Sequence, residues 1–310
     1  MEKLNVTPKE FKARYNNLPV RRLDGTIETV RVNRYVLNHS KWFNPGAMEE
    51  FRKKYFSRRI DRDLSIFTTS GEVKVRLELT KEENRWEKRG IPMRFELDNK
   101  KGETQISTHD VDWGGFCVYC FLGKGAPEHY QIVLQLAEHW DLAPNGLQAY
   151  ADSALGLDCN GFVGNYIWYG KKGKAWSKPG FNDLKGPDSI ITNFFKGAPA
   201  VTRWEDIKSS NTYIFGLVDH TGHVVPGGKG PAGHIMITQA GESSKRLNWD
   251  TYNPRLWVVE STAGAINPGL TEGWYECIDY DQKKGVFTLD RGPDIMPLHR
   301  QISCKIVQLV

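Results

Sequence analysis

The sequence has no long hydrophobic run and few cysteines. No stretch approaches the ~18 consecutive apolar residues of a membrane-spanning helix, and the N-terminal residues lack the apolar segment of a secretory signal. Five cysteines in 310 residues are an odd number, which argues against a disulfide framework and leaves at least one thiol free. We therefore expect no membrane span. The localisation stays open between the cytoplasm, by default, and export by a specialised route.

Neither positive nor negative charge is in large excess. The 42 basic and 37 acidic residues give a net charge of +5, which permits contact with an anionic polymer but does not require it. A content of 39% hydrophobic and 12% aromatic residues excludes a disordered, collagenous or coiled-coil chain. We expect no nucleic-acid partner, no cofactor and no metal. The oligomeric state is not predicted.

The first part of the chain has the pattern of a mixed, β-rich domain. Thr7, Pro8 and Glu10 form an N-cap with a capping-box acid, which predicts a short helix from Pro8 to Tyr15. Alternating or continuous apolar residues predict further elements: strands at 27–37, 73–79, 93–97 and 116–122 and a helix at 47–57. These signals define an N-terminal domain, residues 1–125, whose role the sequence does not reveal.

After the glycine-rich segment 123–125 the pattern changes to helices followed by strands. Helical periodicity covers 129–140 and 145–153, and a third helix begins at Cys159. Strand signals then follow at 212–218, 234–238, 256–261, 285–290 and 302–309. Such an order is typical of an α+β fold with separate layers, so we predict a second domain at residues 126–310.

Cys159 is the most informative residue. It follows a loop and begins an amphipathic helix, where unpaired backbone N–H groups stabilise a thiolate, the nucleophilic form of cysteine. A free cysteine is otherwise more often a small buried side chain. Two downstream residues favour the catalytic interpretation. His234 stands at the mouth of an apolar strand, and Glu260 near the end of another could orient the imidazole.

The segment Asp158-Cys159-Asn160-Gly161-Phe162-Val163 resembles the signature of the NlpC/P60 family of papain-like cysteine peptidases. The segments around 204–215, 233–237 and 259–261 resemble the family's later strands in the same order, so the resemblance covers about residues 126–310. It implies a papain-like fold in which the nucleophile helix packs on an antiparallel barrel-like sheet. It also implies cleavage of amide bonds in bacterial cell-wall peptides, with Cys159, His234 and Glu260 as catalytic residues.

Some positions depart from the family pattern. Asn160 stands in place of a serine, and Glu260 stands where the family has His, Asn or Gln. The separation of Cys159 from His234 leaves room for an inserted loop at about 170–203. An upstream tyrosine of the family assists the oxyanion site, and Tyr150 is the candidate here, although its spacing fits poorly.

Three other groupings have simpler interpretations. Cys117 and Cys120 form a Cys-x-x-Cys pair within an apolar run, where we expect two core thiols rather than a zinc or redox site. His220 and His223 lie among turn residues and are weaker candidates for the base. The basic run at 52–62 is interpreted as a solvated helix face.

We therefore predict a hydrolase: a cysteine peptidase or amidase that forms an acyl-enzyme on Cys159 and acts on a peptide, with peptidoglycan of the cell wall as the implied substrate. Two alternatives stay open. The acyl group could pass to an amine or lipid, which would make the protein a transamidase or acyltransferase. The domain could also bind a wall peptide or a partner protein without turnover.

Overall fold

A computed structural model describes residues 6–37, 41–57, 63–68, 71–79, 92–98, 104–112, 119–172, 186–187, 189–227, 233–248, 251–266, 268–292 and 301–309. The chain divides into two compact units. The first, called the barrel unit, comprises Met1–Lys12, Asp158–Gly173 and Phe181–Val310. The second, called the mixed unit, comprises Ala13–Leu157 and Lys174–Gly180. These units are groupings by contact, so the domain boundary after residue 125 stays a prediction.

The mixed unit combines short helices with two small antiparallel sheets. Its helices are the C-terminal part of α1 (Pro8–Asn16), α2 (Pro45–Ser57), α3 (Pro127–His139) and α4 (Leu147–Ala154). Its strands are β1 (Leu18–Arg21), β2 (Ile27–Val30), β3 (Asp63–Thr68), β4 (Gly71–Leu79), β5 (Pro92–Asp98) and β6 (Thr104–Asp112). The first two strands form a hairpin, and the other four form one sheet in sequence order.

Two glutamines on α3 pair with the backbone of β3. Gln135 accepts from the N–H of Ser65 at 3.0 Å and donates to its carbonyl at 2.7 Å. One helical turn earlier, Gln131 makes the same two bonds with Phe67, at 2.7 and 3.0 Å. The side-chain amides therefore occupy the hydrogen-bonding edge of β3 in place of another strand.

The barrel unit contains a closed six-stranded antiparallel barrel. Its strands are β7 (Tyr213–Leu217), β8 (Ile235–Asn248), β9 (Thr251–Thr262), β10 (Gly269–Asp281), β11 (Val286–Arg291) and β12 (Gln301–Gln308). Around the barrel the order is β10, β11, β12, β7, β8, β9. The protein is thus a mixed α+β structure built on an antiparallel barrel. Among the described helices, none combines the length and apolar character needed to cross a bilayer.

Inward-facing apolar side chains fill the barrel. Alternate residues of each strand point to the same side, and the buried cluster includes Phe215, Met236, Val258, Leu289 and Ile306. Outside the barrel, α5 (Cys159–Lys172) packs on β8 and β9 through an apolar stripe. A further short helix, α6 (Ile191–Phe195), lies against β7, where Gly216 leaves room for the ring of Phe195.

The start of the chain packs on the outer face of α5. The ring of Phe11 lies 5.9 Å from that of Phe162 and 5.7 Å from those of Tyr166 and Tyr169. The predicted capping box is confirmed: the N–H of Glu10 donates to the Thr7 hydroxyl, and the N–H of Thr7 donates to the Glu10 carboxylate. These bonds begin α1 at Pro8, as the sequence predicts.

Some sequence predictions of secondary structure are wrong. The apolar run at 116–122 was expected to be a strand, but residues 119–121 are helical, and residues 116–118 lie outside the described part. The carbonyl of Tyr119 accepts the N–H of Lys124, a bond typical of the end of a helix. Tertiary context therefore outweighs the strand propensity of these residues. The long strand β10 is not predicted by the sequence at all.

Candidate active site

Cys159 is the first residue of α5, and the residue before it caps this helix. The carboxylate of Asp158 accepts the N–H of Gly161 at 2.5 Å, and its carbonyl accepts the N–H of Phe162 at 3.0 Å. A short side chain with a hydrogen-bond acceptor at this position satisfies one of the free N–H groups at the start of a helix. The amide of Cys159 itself stands in the first turn, where N–H groups have no acceptor within the helix. These groups and the helix dipole favour negative charge at the sulfur.

Asn160 connects the helix start to a neighbouring loop. Its amide nitrogen donates to the carbonyl of Ser189 at 2.9 Å. This bond leaves the amide oxygen on the side of the thiol, and the sulfur of Cys159 lies 3.8 Å from it. A Cβ on Gly164 would lie 2.5 Å from the backbone of Pro187, so glycine there lets the loop approach α5. The segment predicted as an insertion therefore contacts the helix that bears the nucleophile.

His234 lies directly before β8, at one end of the barrel. Its carbonyl accepts the N–H of Leu217 from the neighbouring strand at 3.1 Å. The preceding residue, Gly233, is closely surrounded: a Cβ there would lie 2.7 Å from the carbonyl oxygen of Val225 and 2.8 Å from the nitrogen of Gly227. Glycine is thus required at 233 for the loop at 225–227 to pack against the residue that precedes His234.

Glu260 continues the inward-facing row of β9 beyond Leu256 and Val258. It pairs with Thr271 of β10 in the sheet register. Its side chain is buried, with 1% exposed, and one carboxylate oxygen accepts a short hydrogen bond from Nε2 of His234. His234 precedes Met236 by two residues and therefore continues an inward row of its own strand. The two residues meet because both rows end at the same end of the barrel.

Cys159 completes the arrangement, because its thiol lies close enough to His234 to contribute to the raised pKa of the imidazole. Since Nε2 is occupied by Glu260, Nδ1 is the ring nitrogen left for the thiol. The structure therefore brings together the three residues that the sequence predicted, in the order Cys159, His234, Glu260. All three lie in the barrel unit.

Burial and charge act in opposite directions on the imidazole. Burial disfavours the imidazolium, but the charge of Glu260 and the hydrogen bonds to Cys159 and Glu260 outweigh it and raise the pKa of His234 from 6.5 to about 9. For Glu260, burial raises the pKa, and the opposing charges of Arg291 and His234 lower it below its usual value. Near neutral pH the site therefore holds an imidazolium paired with a carboxylate, next to the sulfur of Cys159. Such a set can supply a sulfur nucleophile and return a proton to a leaving group.

Two residues around Glu260 were missed from the sequence. The hydroxyl of Tyr275 on β10 donates a short hydrogen bond to the second carboxylate oxygen. The guanidinium of Arg291 on β11 lies 3.7 Å from the oxygen that also accepts from His234. One signal was available. Arg291 follows Phe287 and Leu289 at alternating positions, so a charged residue continues an apolar row.

Tyr150, the oxyanion candidate, is a buried residue of α4 in the mixed unit, and its role stays a prediction. His220 and His223 lie in an exposed turn organised by Asp219, whose carboxylate accepts the N–H groups of Thr221 and His223. This agrees with the expected surface turn.

The remaining sequence groupings are only partly described. Burial raises the pKa of the Cys120 thiol well above its usual value, whereas Cys117 lies outside the described residues. Of the basic run, Arg52 pairs with Glu49 at 3.1 Å, and 58–62 lie outside the described part. Within the described ranges there is no cluster of three or more His, Cys, Asp or Glu side chains placed to hold a metal ion.

Comparisons of the chain with models of protein families, with curated proteins and with solved structures found no match. The resemblance to the NlpC/P60 signature therefore rests on the residues quoted above, and the functional argument rests on the geometry of the site.

Proposed function

We propose that the protein is a cysteine hydrolase that cleaves an amide bond through an acyl-enzyme on Cys159. The observation that carries this proposal is the buried line of contacts from Cys159 through His234 to Glu260. A thiol, an imidazole and an orienting carboxylate in this sequence of contacts are the parts that nucleophilic acyl transfer requires. The fold we associate with this activity is papain-like, with α5 as the nucleophile helix packed on the barrel.

Each residue has a defined task in the proposed reaction. The thiol proton passes to His234 as the Cys159 sulfur attacks the carbonyl carbon. The oxyanion that forms accepts from the N–H of Cys159 at the start of α5. His234 then protonates the departing amine, which breaks the C–N bond and leaves a thioester. A water molecule, deprotonated by His234, attacks the thioester and releases the acid. Glu260 holds the ring and stabilises its charge throughout.

The proposed substrate class is a peptide, and a cell-wall stem peptide is the first candidate. This choice rests on the resemblance of the segments around Cys159 and His234 to the NlpC/P60 pattern. The direct test is digestion of purified peptidoglycan by the wild type and by Cys159→Ala, followed by mass spectrometry of the soluble fragments. Stem-peptide fragments from the wild type alone are expected. Their absence with walls of several chemistries would refute the wall substrate, and products joined to an added amine would indicate acyl transfer instead.

The nucleophile can be tested without a substrate, because the chain offers a matched internal control. Cys159 and Cys277 are equally exposed, at 7% each. The Cys277 sulfur lies against the carbonyl of Asp279, and burial raises the pKa of this thiol to about 12. We expect iodoacetamide at neutral pH to alkylate Cys159 much faster than Cys277, as followed by peptide mapping. Equal rates would contradict activation by His234, since the two residues are equally exposed.

A further inference from the structure

We propose that Arg291 is a positioning residue whose buried guanidinium faces Glu260 and keeps this carboxylate in its ion pair with His234. This inference deepens the proposed function and rests on it. Arg291 has no place in the family resemblance and lies near the C-terminal end of the chain, far from Cys159 in sequence. The argument depends on three features: the position of its guanidinium, the bonds to both carboxylate oxygens, and the balance of buried charge.

The guanidinium is held in place by contacts inside the barrel. Its side chain is 4% exposed, and Nη2 lies 3.7 Å from the Glu260 oxygen that accepts from His234. The same nitrogen donates to the sulfur of Met236 at 3.6 Å. The central carbon of the guanidinium lies 5.5 Å from the centre of the Tyr275 ring, within the range of a cation–π contact. Arg291 and Tyr275 are also direct partners in the register of β10 and β11.

Both oxygens of Glu260 are engaged by neighbouring strands. One accepts from His234 of the β8 segment and faces Arg291 of β11, and the other accepts from the Tyr275 hydroxyl of β10. A carboxylate bound at both oxygens cannot rotate away from the imidazole without breaking a buried hydrogen bond, which is costly. Tyr275 therefore fixes the orientation, and Arg291 supplies the charge.

The charge is needed because Glu260 is buried. A carboxyl group removed from water takes up a proton unless an opposite charge stands near it. Several titratable or charged groups face this network. His234 interacts with Cys159 and Glu260. Glu260 interacts with His234, Tyr275 and Arg291, and Cys304 lies near Arg291. Arg291 is the member of this set that keeps its charge at every working pH. Without it, His234 would be the one positive charge left in this set to oppose the burial of Glu260, so the carboxyl would take up a proton more readily and would stabilise the imidazolium less.

The first test follows the imidazole directly by NMR titration of ¹⁵N-histidine-labelled protein, with His234→Gln used to assign the signal. In the wild type the pKa of His234 is expected at about 9. In Arg291→Gln we expect it to fall by about 1 to 3 units, because a Glu260 that takes up a proton no longer supplies the close opposite charge that raises the pKa of His234. Arg291→Lys retains the charge and is expected to retain most of the elevation. An unchanged His234 titration in Arg291→Gln would overturn the proposal.

The second test uses turnover of whichever amide substrate the wild type cleaves. Residues that support a metal ligand from the next shell typically contribute about 10- to 100-fold to activity. We expect a similar fall in kcat for Arg291→Gln, with little change in KM. The double variant Glu260→Gln/Arg291→Gln should be no slower than Glu260→Gln alone, because Arg291 acts through Glu260. A further loss in the double variant would show a role that does not pass through Glu260 and would overturn the proposal.

These measurements separate the two proposals. If the wild type cleaves no amide but His234 still loses its raised pKa in Arg291→Gln, the hydrolase proposal fails and the positioning role stands. If Arg291→Gln does not fold, two other measurements decide the outcome: the titration of Arg291→Lys, and the comparison of the double variant with Glu260→Gln. The double variant is suitable because it removes both Glu260 and Arg291 and so leaves neither charge without its partner. Arg291→Lys with a His234 pKa near 6.5 would then count against the proposal.

Discussion

The pairing of His234 with Glu260 makes a quantitative prediction about stability. Replacement of Glu260 by Gln removes the charge while it preserves the shape of the side chain. His234 has a pKa of about 9 in the folded protein and about 6.5 when unfolded, and a shift of this size corresponds to about 3 kcal/mol. Because the folded-state pKa is raised, this contribution is fully present below pH 6.5 and is lost as the pH rises through 9.

The assay is the free energy of unfolding in urea, measured at intervals from pH 6 to pH 10. Wild type and Glu260→Gln are both compared in a Cys159→Ala background, so that the thiol does not titrate. Since Cys159 also contributes to the raised pKa, about 3 kcal/mol is an upper limit for the difference in this background. Glu260 itself has a lowered pKa and stays ionised throughout this range. The advantage of the parent over Glu260→Gln should therefore be largest at pH 6 and shrink steadily toward pH 10.

A matched control is available on the neighbouring strand. Glu272 pairs with Lys12 at 3.1 Å and accepts from the indole of Trp257 at 3.0 Å. Glu272→Gln removes the same charge, and its effect should not change with pH in the range through which His234 titrates. If the difference for Glu260→Gln is constant from pH 6 to pH 10 to within about 0.5 kcal/mol, the usual limit of such comparisons, the ion pair does not stabilise the fold and the reasoning is refuted.

Three further predictions follow from the same contacts. The kcat/KM for amide cleavage should fall as the pH rises through about 9, because the imidazolium of His234 that protonates the leaving amine is lost; a pH–rate profile still rising at pH 10 would contradict this. Asp158→Ala should cost about 1 kcal/mol in thermal unfolding and slow the alkylation of Cys159, because α5 loses its N-cap, whereas Asp158→Asn should restore most of both. Gly233→Ala should abolish turnover, because the new Cβ would meet the backbone at 225–227. Gly46→Ala is the control, because the nearest atom to a Cβ at that position lies 3.5 Å away. Equal activity of the two variants would count against the close packing at residue 233, next to His234.

The sequence predicted those parts of the fold whose signal is local. The helix of Pro8 has its capping box, and α5 has an apolar stripe after Cys159, so both were predicted with the correct start. The strand β10 was missed because its inward row consists of Thr271, Gly273, Tyr275 and Cys277. A strand whose buried face is small or polar has a weak alternation of hydrophobic residues, and its place is decided by pairing with its neighbours.

The same distinction applies to the site. Cys159 and His234 could be found because each stands at a junction between a loop and a regular element, and Glu260 because it ends an apolar strand. Arg291 and Tyr275 have no such local signal. They reach Glu260 only through the register of β9, β10 and β11, in which Tyr275 pairs with Leu256 on one side and Arg291 on the other. Contacts of this kind depend on the closed barrel rather than on any segment of sequence.

The charge balance of the site gives a reason for an arginine beside a glutamate at this position. With a neutral amide as the third residue, an imidazolium and a thiolate already balance each other. A carboxylate at 260 adds one buried negative charge, and the guanidinium of Arg291, 3.7 Å away, offsets it. The glutamate can therefore stay paired with the imidazolium of His234 without leaving an uncompensated charge inside the barrel.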